Sequence, residues 1–329
     1  MLKAFSHNII KKGVFMDKPF RTFDEQVAIL NGTFNSIKYK RMDTDSETKY
    51  HLMRNNYYSI INFYNKPFII ERINTEDIYI TGVHFNEIKA LHDFDRNLRN
   101  LFFNVLTQIE TSFKTAIAYY FSEHYGIQNK EEYLNPNNYY MGKNFEKRPL
   151  VLKTILKLQN YKDNTEKEII RHYSNKDNIP FWVTIHFLTF GDISKLYSIL
   201  ENKVQDKIVS HFRELYNKEY CIRPNLSRIF IKTFLKACVN FRNVAAHNER
   251  IYNYTIKDHI TSNEKNSSLS NQRKLFSIYE NLKLFLEKTE YDNLTQKLKH
   301  FFCNLEDKLN SININIILKE MDFPENWYK

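Results

Sequence analysis

Apolar residues recur every three or four positions along two long stretches of the chain, which predicts two dominant helices. The first stretch spans residues 84–124, and its stripe is formed by Ile88, Leu91, Phe94, Leu98, Phe102, Val105, Ile109, Phe113 and Ala116. The second spans residues 223–256, and its stripe is formed by Leu226, Phe230, Phe234, Ala237 or Cys238, Phe241 and Ala245. Pro224 suits the first turn of this second helix. Each stripe predicts a helix that packs along one side.

Shorter elements are predicted around these two helices. Thr22 and Glu25 have the spacing of a capping box at the start of a helix. Residues 46–68 predict one or two short helices that Asn65 and Pro67 end. Weak alternation in DIYI favours a small β-like insert within residues 72–85. Further helices are predicted at residues 148–160, 164–175, 275–288, 290–310 and 312–320.

The segment NIPFWVTIHFLTFGDISKLYSIL is predicted to form two helices that Gly191 separates, with Pro180 near the start of the first and Asp192 capping the second. Residues 127–147 and 261–274 are predicted loops, and we expect the second to be mobile.

The fold class that follows is all-α, in agreement with the scarcity of Gly (6) and Pro (7). We expect a helical bundle over residues 81–260. An N-terminal helical extension, residues 1–80, precedes it, and C-terminal helices, residues 261–329, pack on it.

The charge balance changes what partners are expected. The formal net charge is +10, which favours a polyanion such as nucleic acid or an anionic membrane surface. A generally lysine-rich protein is the alternative. No window is apolar enough to span a membrane, and the N-terminus lacks the apolar core of a signal peptide. The three cysteines are far apart, which suits the reducing cytoplasm and argues against a cysteine zinc site. We expect no metal, no cofactor and no membrane partner.

The flank of the second helix beside its apolar stripe is basic. It consists of Arg228, Lys232, Lys236, Asn240, Asn243, His247 and Arg250, spaced three or four residues apart. Residues 228–250 hold five Lys or Arg and one acid, Glu249. This predicts an RNA-binding ridge. The alternative is the ordinary polar face of a surface helix, with the histidine as a partner of the helix dipole.

The sequence NFRNVAAHNER supplies chemistry for cleaving RNA. His247 can transfer a proton near neutral pH, and Arg242 stays cationic and fits phosphate oxygens. Attack by the internal 2′-hydroxyl needs such a proton carrier and such a cation. Asn243 could orient the imidazole or donate to phosphate. Positions five apart differ by about 140° around a helix, so two copies related by a twofold axis would form a better site.

The segment RNVAAH (242–247) is similar to the Rx4–6H motif of HEPN domains. KPFRTFDEQVAIL, DFDRNLRNLFFNVLTQIETSFKTAIAYYFSEHYG, PFWVTIHFLTFGDISKLYSIL and MDFPENW resemble segments of the Abi-like abortive infection family (the AbiD/AbiF group), in the same order. This resemblance implies a HEPN-like helical bundle, often dimeric, that acts in bacterial phage defence and cuts RNA without a metal.

The resemblance also implies roles for particular residues. It makes Arg242 and His247 catalytic, and Asn243 less directly so. It makes a small structured non-coding RNA a reasonable partner. Arg96 and Arg99 either contact RNA phosphate or lie on a solvated face. Two other functions stay open: a non-catalytic RNA-binding scaffold that uses the same basic helix, and a helical partner of another protein.

Overall fold

The computed structural model describes residues 19–34, 41–73, 76–126, 131–164, 166–174, 178–257 and 273–329. The described residues are all-α apart from one small sheet, which confirms the predicted fold class. They divide between Asn86 and Glu87 into two compact units. Most of the predicted loop 261–274 lies outside the described residues.

The first unit contains helices α1 (Phe23–Asn31) and α2 (Ser46–Arg54). The predicted capping box is confirmed, because the Thr22 amide donates to the Glu25 carboxylate over 2.8 Å and the Thr22 hydroxyl accepts from the Glu25 amide over 3.2 Å. The sequence thus fixes where α1 begins.

The rest of the first unit follows the predicted pattern with one difference. The β-like insert is an antiparallel pair, β1 (Ile69–Ile73) and β2 (Glu76–Tyr79). A π-helical turn, Tyr58–Asn62, and a 3-10 turn, Lys66–Phe68, follow α2. Pro67 therefore lies within the 3-10 turn instead of ending a helix.

The second unit is built on α3 (Phe85–Tyr125), the first of the two predicted long helices. The helices that follow are α4 (Arg148–Lys162), α5 (Glu168–Ser174), α6 (Phe181–Thr184), α7 (Phe190–Ile199), α8 (Asn202–Tyr220), α9 (Arg228–Ala246), α10 (Leu275–Leu282), α11 (Lys288–Glu306) and α12 (Asn315–Glu320). Helix α8 was not predicted from the sequence.

Aromatic side chains join the apolar stripes of α3 and α9 in one core. The ring of Phe113 on α3 lies 4.5 Å from that of Phe212 on α8 and 5.3 Å from that of Phe285. Phe285 in turn stacks on Phe234 of α9 at 4.6 Å. Phe113, Phe212 and Phe234 are fully buried. Because such rings each remove a large apolar area from water, this contact fixes how α9 packs in the unit.

Helix α9 is shorter than predicted at both ends. Ser227 is its N-cap and accepts a hydrogen bond from the Phe230 amide over 3.1 Å. The prediction that Pro224 lies in the first turn is therefore wrong: a serine hydroxyl three residues later satisfies the free amides of the helix start. The helix ends at Ala246 instead of near residue 256.

The capping residue of α7 also differs from the prediction. Thr189 is the N-cap, and its hydroxyl accepts from the Asp192 amide, while the Asp192 carboxylate accepts from the Thr189 amide over 3.0 Å. Gly191 lies inside the helix and does not separate two helices. Asp192 is thus the third residue of a capping box, not the cap itself.

Candidate nucleic-acid interface

The basic flank of α9 reaches solvent to different degrees along its length. Lys236 is exposed, whereas Arg228, Lys232 and Asn240 are half-buried. Helix α9 contains no acidic residue. The Arg228 guanidinium lies 3.3 Å from the carboxylate of Asp206 on α8, so this cation is partly neutralised. The positive charge of this flank is therefore concentrated at Lys232 and Lys236.

A lysine from another element adds to this ridge. Burial lowers the pKa of Lys147, the residue before α4, and the nearby charge of Lys232 lowers it further. The Lys147 ammonium donates to the carbonyl of Ser198 over 2.8 Å. Two cations held in one neighbourhood favour an anion between or beside them.

Arg242 and His247 occupy different surroundings at the end of α9. Arg242 is half-buried, and its Nε is enclosed without a hydrogen-bond partner among the described residues. His247 is exposed and is the C-cap of the helix. Arg242 and His247 are five positions apart, which places them about 140° apart around the helix axis. The two side chains of one chain therefore do not converge on the same site.

The backbone around His247 is held by the helix end. The His247 amide donates to the Asn243 carbonyl over 3.0 Å, and the Glu249 amide donates to the Val244 carbonyl over 3.2 Å. Asn248 between them is left-handed, with φ of 56°. This is the geometry in which a left-handed residue closes a helix, and Asn tolerates it better than most residues. The imidazole therefore projects from a defined backbone position. The Asn243 side chain is half-buried one turn before it.

Arg250 does not belong to the helical ridge. It lies beyond the end of α9, so its predicted place on the same helical flank is wrong. Burial raises the pKa of the Tyr252 hydroxyl, and the charge of Arg250 and a hydrogen bond from it act in the opposite direction. Arg250 therefore lies against Tyr252.

A buried carboxylate holds the chain that follows His247. Asp95 on α3 is fully buried, and its Oδ1 accepts from the amides of Ile251 at 3.1 Å and Tyr252 at 2.8 Å. Its Oδ2 accepts from the guanidinium of Arg99. A buried charge with this many donors is well satisfied. Asp95 was not predicted to act at the site, although a carboxylate inside the apolar stripe of α3 could have indicated a buried partner.

The two arginines of α3 differ in exposure. The side chain of Arg99 is 7% exposed, so the expectation that it lies on a solvated face is wrong, and its pairing with Asp95 leaves it no surface for RNA. The side chain of Arg96 is 54% exposed, and its guanidinium Nη2 lies 3.4 Å from the carboxylate Oδ1 of Asp93. Arg96 thus stays available to a polyanion, and Arg99 does not.

Away from the flank of α9, the described residues offer a groove but neither a metal cluster nor a membrane-spanning helix. Among the described residues, no group of three His, Cys, Asp or Glu side chains could hold a metal ion. None of the described helices combines the length and apolarity that crossing a bilayer requires. A groove of about 530 Å³ lies between α3, α8 and residues 284–290, and Thr107, Leu215 and Phe285 contribute to its lining. The predicted site residues do not line this groove.

Comparison with known proteins identifies the family. The model of the family described as Abi-like protein matches residues 50–253, a stretch that includes Asp95, Arg99, the whole of α9 and the anchored residues after it. No curated protein and no solved structure matches the chain. The match spans more than half of the chain, and the chain therefore belongs to the Abi-like protein family, which indicates a part in abortive infection.

Proposed function

We propose that this Abi-like protein is a HEPN-type, metal-independent endoribonuclease of phage defence, acting in the cytoplasm. The observation that carries the proposal is the exposed His247 at the closed end of a basic helix, with Arg242 five residues before it. The protein's net charge of +10 supports a polyanionic substrate.

The residues divide the chemistry of strand cleavage between them. His247 moves a proton to or from the 2′-hydroxyl or the leaving 5′-oxygen. Arg242 stabilises the additional negative charge on the phosphate. Asn243 orients the imidazole or donates to phosphate. No metal is needed, because the nucleophile belongs to the RNA itself.

A second copy of the chain completes the site in this proposal. The azimuthal separation of Arg242 and His247 leaves each chain with half of the required arrangement. Across a twofold axis the same helix end would face itself, so that Arg242 of one protomer lies opposite His247 of its partner. The paired ridges would form a doubly basic cleft for an RNA backbone.

Cleavage by variants of the full chain tests this proposal. His247→Ala and Arg242→Ala should each lower RNA cleavage by at least about a hundredfold, the usual effect of losing an acid–base group. Both should abolish toxicity in cells while the thermal unfolding midpoint stays unchanged. His300→Ala, which removes an exposed histidine of α11, is the matched control and should cleave normally. Unchanged cleavage products from purified His247→Ala protein would refute the proposal.

A non-catalytic RNA-binding scaffold is the second candidate. It is favoured by the separate surroundings of Arg242 and His247 within one chain, which suffice to bind phosphate but not to complete a catalytic pair. A small structured non-coding RNA would then lie on α9. Intact RNA of defined length that copurifies with the protein and survives long incubation with the dimer would support the scaffold over the nuclease.

A further inference from the structure

The segment from Tyr140 to Lys147 forms a loop whose base is firmly attached to the end of α7. The Tyr140 amide donates to the Ile199 carbonyl over 2.8 Å. The Lys147 amide closes the loop on the Met141 carbonyl over 2.8 Å, and its ammonium donates to Ser198. These bonds hold the two ends of the loop and leave its tip at the surface.

The tip holds an aromatic ring outward on an unfavourable backbone. Gly142, Asn144 and Phe145 are left-handed, with φ of 85°, 53° and 61°. This conformation is natural for Gly and tolerated by Asn, but a bulky residue such as Phe rarely adopts it. Phe145 is nevertheless 67% exposed, so burial of its ring does not offset the cost. Strain kept at an exposed side chain points to a binding role.

The segment around Phe145 is rich in basic residues. Residues 140–153 contain four cations, Lys143, Lys147, Arg148 and Lys153, and one acid, Glu146. A Cβ on Gly142 would come within 2.3 Å of the Glu146 carboxyl carbon, so this acid folds back over the loop backbone. The Lys147 ammonium lies 4.5 Å from the centroid of the Tyr140 ring. An aromatic beside cations is the combination that binds an unpaired nucleotide.

The loop is placed beside the ridge of α9. A Cβ on Gly191, at the start of α7, would contact Val239 in the second half of α9. Burial raises the pKa of Tyr197, near the end of α7, and the charge of Arg228, at the start of α9, acts in the opposite direction. Helices α7 and α9 therefore run antiparallel. The loop therefore lies near the Arg228 end of α9, where burial and the charge of Lys232 lower the pKa of Lys147 at the base of the loop. From Lys232 to His247 the helix rises about 22 Å, at 1.5 Å per residue.

We propose that the Tyr140–Lys147 loop is a base-binding site, in which Phe145 stacks on an unpaired nucleotide of an RNA whose backbone follows α9 toward His247. The inference rests on the RNA binding of the proposed function and not on cleavage. A base inside a duplex is already stacked on both sides, so Phe145 selects single-stranded segments.

A second copy of the chain is the competing occupant of this patch. In a twofold interface the same patch meets itself, so Lys143, Lys147, Arg148 and Lys153 of both protomers would come together. Like charges in one interface are costly unless an anion lies between them. The charge of the loop therefore favours nucleic acid over self-association.

Binding measurements in a His247→Ala background test the loop without cleavage of the probe. The probes are a fluorescent single-stranded RNA of about 12 nucleotides and a duplex of the same sequence, a length that suits a single-strand site. Phe145→Ala should weaken binding of the single strand about five- to hundredfold, the effect of losing one stacking partner, and leave duplex binding unchanged. Phe145→Trp should restore it. Tyr119→Ala, which removes a 60% exposed aromatic of α3, should change neither affinity.

Three outcomes overturn the inference. Equal single-strand affinity of Phe145→Ala and its parent removes the stacking role, and so does an equal loss for single strand and duplex. Dissociation of a dimer by Phe145→Ala, measured by light scattering, would assign the patch to self-association instead. Cleavage by the His247→Ala protein would refute the nuclease, and the affinity comparison is then made with a 2′-O-methyl RNA probe, which lacks the attacking hydroxyl, so the two failures are distinguishable.

Discussion

The Asp95 carboxylate on α3 accepts the backbone amide of Tyr252 over 2.8 Å, a bond that links residues 157 positions apart. Tyr252 lies five residues after His247, and Ile251 beside it makes the same contact. The chain after the histidine is thus tied to the long helix, while the chain before it is the last turn of α9. His247 is held from both sides.

Removing this carboxylate should destabilise the fold. Asp95→Ala takes away the carboxylate that accepts from the amides of Ile251 and Tyr252 and that pairs with the buried Arg99 cation. The loss of a buried charged partner costs about 3–5 kcal/mol of unfolding free energy. Urea unfolding measures it. Asp292→Ala, which removes an exposed acid from α11, should cost less than about 0.5 kcal/mol.

A double replacement separates the charge from the anchoring of the chain. In Asp95→Ala/Arg99→Met the buried cation that pairs with Asp95 is removed as well, so part of the stability should return. The amides of Ile251 and Tyr252 still lack the Asp95 acceptor, so the chain after His247 is less firmly held and cleavage should be lower than in the parent protein. A double variant as unstable as Asp95→Ala would contradict this account of the ion pair.

The helices that could be predicted from the sequence are those with long apolar stripes. Helix α3 was predicted at residues 84–124 and spans Phe85–Tyr125, because its stripe continues over many turns. Helix α8 was missed, although Val204, Ile208 and Phe212 recur at helical spacing, because polar and charged residues fill most of its other positions. A stripe of three residues carries less information than the nine-residue stripe of α3.

The candidate site was predictable in its residues but not in its geometry. The sequence indicates Arg242 and His247 and the basic flank before them. It does not indicate that α9 ends at Ala246, because that end depends on the left-handed Asn248 and on Asp95 far away in the chain. It also placed Arg99 at the surface, since local spacing does not show that its partner is buried.

The stability of the protein should depend on pH through His211. This imidazole lies 3.2 Å from the Tyr120 hydroxyl, and burial lowers its pKa, against the opposing charge of Glu214. The unfolded chain, with a histidine pKa of about 6.5, therefore takes up a proton at a higher pH than the folded chain does. The contribution of the neutral ring to the free energy of unfolding is complete above about pH 6.5. It decreases as the pH falls below that value, by at most about 1.4 kcal/mol per pH unit.

Urea unfolding from pH 8 to pH 5 measures this dependence. His211→Gln should lose the part of the slope below about pH 6.5 that one histidine contributes. His300→Gln, at an exposed position of α11, should keep the slope of the parent protein. An unchanged slope in His211→Gln would show that this ring is not the group responsible.

The lysines of α9 should determine how steeply RNA binding responds to salt. Each cation that neutralises a phosphate on a single strand contributes about 0.7 to the slope of log affinity against log salt. Lys232→Gln and Lys236→Gln should each lower the slope by about that amount, and the double variant by about twice as much. Fluorescence anisotropy at several salt concentrations measures it. Lys297→Gln on α11 is the control. If it lowers the salt slope as much as the α9 variants do, RNA binding is not confined to α9.

The left-handed Asn248 should control both stability and the position of His247. Asn248→Gly removes the steric cost of a φ of 56°, so stability should hold or rise and cleavage should continue. Asn248→Val adds a β-branched side chain at this conformation, which should cost about 1–2 kcal/mol and displace the imidazole from its place, so cleavage should fall. Asn326→Val is the matched control, because Asn326 has a φ of 54° and lies in the C-terminal segment. It should lose similar stability in urea unfolding yet cleave normally per folded molecule, because the Asn326 amide donates to the Asn315 side chain on α12. An equal fall in cleavage for both valine variants would reduce the role of Asn248 to stability alone.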